Sequence, residues 1–184
     1  DWTLDPLYGY ASEEAYDDDK NTHRHEWARQ FISDMINVGF RDKLTLFWHN
    51  HFVTQWSTYQ CSKLLYEHHR LLQSHALGNF RDFVYDIGID GAMLEFLDGD
   101  GSHKNGPNEN YARELYELFT LGEGNGYTQS DIEQTAAALT GWRSTGCTTP
   151  YFDPSRFDFG DKTIFGQTGM WTYDDVIDIL FQER

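Results

Sequence analysis

A chain of 184 residues in which 39% are hydrophobic and 16% aromatic can bury a real core, which excludes general disorder. Its 14 Lys and Arg stand against 30 Asp and Glu, a formal net charge of −16. That balance excludes phosphate-backbone recognition of nucleic acid, which needs a basic face, and it disfavours an anionic membrane surface. No run of 18 apolar residues occurs, so no membrane span is expected. Two cysteines, Cys61 and Cys147, allow one disulfide, and their number alone does not place the compartment.

Residues 1–22 are polar and irregular and are expected to form an arm, with Asp17, Asp18 and Asp19 in an exposed loop. Trp27, Phe31, Met35 and Val38 recur at helical steps and predict a helix over 24–38 that stops at Gly39. Further helices are predicted over 41–53, 60–76, 80–87 and 91–97. Gly78 ends the helix at 60–76, and Asn79 caps the one that follows. A loop over 98–106 precedes a helix over 107–121, with Pro107 in its first turn. Thr128 and Asp131 form a capping-box-like start for a helix over 129–140, which Gly141 stops. Residues 143–170 show no helical period and hold at most a small β-hairpin. A last helical pattern begins at Tyr173 and runs to Arg184 without a capping residue, which reads as a piece of a longer protein. The expected fold is mainly α: an irregular multi-helix bundle with long loops, forming one domain over 23–184.

Three stretches carry a resemblance. They are 46–53 (LFWHNHFV), 107–122 (PNENYARELYELFTLG) and 138–142 (ALTGW). With 77–82, 91–94 and 162–166 they make the chain resemble, over about residues 40–182, family 1800 of the bacterial domains of unknown function. The family has no established activity to carry over. Its members are longer and usually carry export signals. The resemblance therefore implies a periplasmic, secreted or cell-surface location and favours a Cys61–Cys147 bridge. One departure is Phe157, where the family tends to have a His before the Asp.

The sequence offers two sets of candidate site residues. His49 and His51 sit two apart, so on a helix their rings point about 200° apart and cannot hold one ion without help from another segment. Leu44, Phe47, Trp48 and His51 share the apolar face of that helix, while His49 lies with Thr45 and Phe52. No histidine has a partner at i+3 or i+4. His51 and His68 read first as hydrogen-bonded core histidines. Glu114 and Glu117, i and i+3 beside a predicted core stripe of Tyr111, Leu115, Leu118 and Gly122, repel each other unless a cation or proton intervenes. They are either an acid–base or metal pair, or acceptors for an Arg or for backbone groups such as those of the 140–142 turn. Arg113, next to Glu114, is expected to point toward Glu109. The second set follows the calcium-loop schedule. Asp98, Asp100 and Ser102 stand at positions 1, 3 and 5 and Glu109 at position 12, with His103 in place of the usual Gly at position 6. The plainer alternative is a solvated acidic loop.

No nucleophile elbow, phosphate-cradling loop or Cys-x-x-Cys occurs. The expected function is thus a secreted or surface module for binding or assembly, with calcium at the 98–109 loop as a candidate stabiliser and other protein chains or an extracellular polysaccharide as candidate partners. The alternative is a metal-dependent hydrolase or oxidase acting on an extracellular polymer through His49, His51, Glu114 and Glu117.

Overall fold

The computed structural model describes residues 13–144 and 146–182. Its architecture is mainly α. Helices α1 (Glu13–Asn37), α2 (Phe40–His51), α3 (Trp56–Tyr59), α4 (Ser62–His75), α5 (Phe80–Gly88) and α6 (Gly91–Phe96) come first. After the 98–109 loop, α7 (Asn110–Glu114) runs directly into a π-helical turn, Leu115–Thr120. Helices α8 (Gln129–Ala138) and α9 (Tyr173–Gln182) flank two antiparallel strand pairs. Strands β1 (Trp142–Arg143) and β2 (Tyr151–Phe152) form the first pair, and β3 (Lys162–Ile164) and β4 (Gln167–Gly169) the second.

Several differences from the sequence reading have physical causes. Residues 13–22, expected in the irregular arm, belong to α1, so Asp17 and Asp19 lie in a helix; residues 1–12 of that arm lie outside the described residues. Lys20 pairs with Asp17 one turn away, at 2.6 Å, and offsets part of the repulsion. Helix α7 starts three residues after Pro107, and the turn before it is closed by Asn108 Oδ1, which accepts from the Asn110 N–H at 2.9 Å. On α2 the buried face is Asp42, Thr45 and the largely buried His49, while Phe47 is 57% exposed. Of the apolar face inferred for this helix only Phe47 lies outside, while Trp48 packs on the main core and His51 on Phe52 and Phe119.

The π turn explains the largest misreading. At more than four residues per turn it rotates the phase, so Tyr111, Leu115, Tyr116 and Phe119 are buried. Leu118, placed in the core by a 3.6-residue period, is 62% exposed.

The main core joins Phe52, Leu72, Phe83, Val84 and Ile87 to Leu115, Tyr116, Phe119, Val176 and Ile177. A smaller cluster of Tyr59, Cys61, Leu64, Leu65 and Ala92 lies under Trp27 and Trp56. Cys61 is bonded to Cys147, across 86 residues of sequence, tying the start of α4 to the loop between β1 and β2. The small hairpin expected within 143–170 is β3–β4. Its two-residue turn, Phe165 and Gly166, has positive φ at both positions, 49° and 78°, as a type I′ turn requires. Phe165 tolerates this because its N–H donates to Asp131 Oδ1 at 2.7 Å and its ring packs on Tyr116. Asp131 serves twice: its other oxygen completes the capping box with Thr128 at the start of α8.

Candidate functional site

The fold sends the two α2 histidines to different places, as their spacing dictates. His51 donates from Nε2 to the Phe119 carbonyl at 3.1 Å and stacks along Phe47. It helps to dock α2 on the π turn. His49 turns the other way, into a ring cluster with Trp27 and Phe31 of α1 and His68 of α4. Burial drives its pKa down to about 4, and the neighbouring His68 ring pushes in the same direction.

His68 is fully buried between two acceptors. Nδ1 meets the Asp90 carboxylate at 2.8 Å, and Nε2 meets the Phe52 carbonyl at 3.2 Å. These two contacts join α4 to the start of α6 and to the end of α2. Asp90 also caps α6 by accepting from Met93 N–H.

Glu114 and Glu117 remain neighbours. Burial raises the Glu114 carboxyl first and the Glu117 charge raises it further, with Arg113 opposing both. Arg113 reaches in both directions, to Glu109 at 2.9 Å and Glu117 at 3.3 Å, and it also donates to Gln129. It does not serve Glu109 alone. The 140–142 turn is engaged elsewhere. Thr140 Oγ1 donates to the Ala137 carbonyl and accepts from Asp158 N–H. A Cβ on Gly141, whose φ is +96°, would lie 2.7 Å from the Phe152 ring. Thus His49, His51 and the Glu114–Glu117 pair serve three separate contacts.

In the 98–109 loop, Asp98 has positive φ and Gly99–Gly101 make a single 3-10 turn. Ser102 Oγ accepts from Asn108 N–H at 3.1 Å. Glu109 Oε2 accepts from Arg113 and Gln129, each at 2.9 Å. Asp98 and Asp100 sit close enough to interact, and the Asp100 carboxyl is raised, by burial first. No group of three or more His, Cys, Asp or Glu that could hold a metal ion occurs among the described residues. Phe157 is 3% exposed and packs between Phe152 and Phe159. Over its ring lies the buried Lys162 ammonium, 4.9 Å away, which donates to the Asp158 and Gly160 carbonyls.

A cleft with mixed chemistry lies between α1 and α4. It is a cleft of about 300 Å³ lined by Glu26, Trp27, Gln30, Phe31, Asp34, Tyr66, His69, Arg70 and Gln73. His69 is 6% exposed. Its ring packs edge-on to Phe31 and Trp27, and its Nδ1 has no hydrogen-bond partner. Burial brings its pKa down to about 4, so it is neutral at pH 7. Behind the cleft a polar chain runs inward: Arg70 donates to Gln73, and Gln73 donates to the buried Asp42. The other Asp42 oxygen is sealed without a partner. The sequence signalled the Trp27–Phe31 side of this cleft through its helical spacing. His69, Gln73 and Asp42 carried no such signal, because their importance lies in being buried.

A family model described as a protein of unknown function, DUF1800, matches residues 4–184. The chain belongs to this family. No curated protein and no solved structure matches it. Read on this fold, the stretches that carried the family resemblance hold the core together. Trp48 donates to the Ala76 carbonyl, and Phe52, Tyr111 and Leu115 are buried in the main core.

Proposed function

We propose that this DUF1800 domain is a binding module of an exported protein and that its ligand sits in the α1–α4 cleft. The observation that carries this reading is the cleft's composition. Aromatic walls from Trp27, Phe31 and Tyr66 meet convergent amides and charges, with a buried neutral histidine in the lining. That combination of an apolar pocket, a few polar groups and a perturbed titration marks ligand sites in general. The Cys61–Cys147 bond supports a place outside the reducing cytosol. Partners are then molecules met there, either other chains or polysaccharide.

The metal-dependent hydrolase or oxidase reading needs His49 or His51 beside Glu114 and Glu117, and no contact joins those groups among the described residues. Calcium at the 98–109 loop would compete with Arg113 and Gln129 for Glu109 Oε2. Melting the protein and an Asp98→Asn variant with and without a chelator tests that point, and a drop after chelation that the variant lacks would favour calcium at this loop.

The binding reading is tested by thermal shift with three probe classes: neutral and charged oligosaccharides, free amino acids, and short peptides. At a hundredfold excess over Kd a ligand adds about 2.7 kcal/mol of stability. One class should raise the melting temperature of the native chain and leave Tyr66→Ala unshifted. No shift from any class, or the same shift in both proteins, overturns the reading.

A further inference from the structure

Resting on the cleft as the ligand site, we infer that its ligand is an uncharged hexose residue of an extracellular polysaccharide. The half-buried Trp27 and Tyr66 line the opening from opposite helices, and rings so placed take the C–H face of a pyranose by stacking. Around them stand Gln30, Asp34, Glu26 and Gln73, groups that donate to or accept from several hydroxyls at once. Gln30 and Asp34 are already paired at 2.8 Å on the α1 rim, which fixes the direction of both.

Size and charge narrow the class. At about 300 Å³ the cleft is at the small end of ligand pockets, so it takes a ring and not a folded peptide. Two carboxylates, Glu26 and Asp34, face one guanidinium, Arg70, which already donates to Gln73. On a chain of net charge −16 this rejects uronates and sulfated sugars. His69, 6% exposed, packs edge-on against Trp27 and Phe31 and backs the ring wall of the cleft.

The test is calorimetric titration of the full chain with cellohexaose, mannohexaose and chitohexaose, and with hexagalacturonate as the anionic control. At least one neutral hexamer should bind and hexagalacturonate should not. Tyr66→Ala should weaken binding at least tenfold. Tyr66→Phe, which keeps the stacking face, should stay within about threefold, which separates stacking from a folding defect. Asp34→Asn should weaken the neutral sugar while raising tolerance for the uronate. Binding of hexagalacturonate in preference to all three neutral hexamers overturns the inference, as does equal affinity of Tyr66→Ala. If no sugar binds while amino acids or peptides shift the native chain and not Tyr66→Ala, the sugar assignment falls and the cleft stands. If nothing binds, both fall.

Discussion

At the scale of single residues, burial of polar groups sets the most testable behaviour. His49 and His69 each have a folded-state pKa of about 4, against an ordinary value near 6.5. Between those values the unfolded chain takes up protons that the folded chain refuses, so stability falls as pH drops from about 6.5 to 4. Each ring contributes a slope of about 1.4 kcal/mol per pH unit. His69→Phe should flatten the acid limb of a urea-denaturation series by about one proton while leaving stability at pH 7.5 nearly unchanged or higher; an unaltered limb would show that His69 titrates normally. Gly88 tests packing. A Cβ there would press on the Tyr173 and Tyr111 hydroxyls. Gly88→Ala should cost about 1–3 kcal/mol, part of it recovered by adding Tyr111→Phe. No destabilisation would mean that the two tyrosines have room to move.

At the scale of elements, the sequence located helices better than it located faces. The capping box of Thr128 and Asp131 was legible because caps are local chemistry with fixed spacing. Asp131's second bond, to the β3–β4 turn, was not legible, because it depends on a strand pair 34 residues away. Asp131→Ala should therefore cost more than a lone cap, about 2–3 kcal/mol, as measured by chemical denaturation. A loss near 1 kcal/mol would mean the turn holds without it. The π turn was invisible to a 3.6-residue reading, and it yields a sharp contrast. Leu118→Ser should change stability by less than about 0.5 kcal/mol, whereas Phe119→Ala should cost about 3–5 kcal/mol. A large loss at Leu118 would restore the regular-helix register.

For the whole molecule, the helical class followed from periodicity and the hairpin from its absence over 143–170, while the candidate site followed from neither. Its walls come from α1 and α4, about 40 residues apart in sequence, and nothing in either stretch states that they meet. They are held together at one end by Tyr16 and His23, whose side chains both reach the Ser62 hydroxyl. The disulfide anchors the same end of α4. Because it closes a loop of 86 residues, its reduction should lower stability by about 4.6 kcal/mol on a chain-entropy basis, read as a drop in melting temperature with dithiothreitol. An unchanged melting temperature would show that the α1–α4 contacts alone hold this end.

The π turn also has a consequence for descent. A helix that carries one residue beyond the regular count can lose that residue without breaking either flank, since its two ends are anchored independently. Arg113 and its partners hold one end, and the Gly122 N–H, bonded back to the Tyr116 carbonyl, closes the other. When homologous chains are laid side by side, a one-residue gap within 115–120 is therefore the cheapest length change in this helix. A relative with that gap would bring its counterpart of Leu118 inward, and an apolar residue there would be selected for packing instead of merely tolerated.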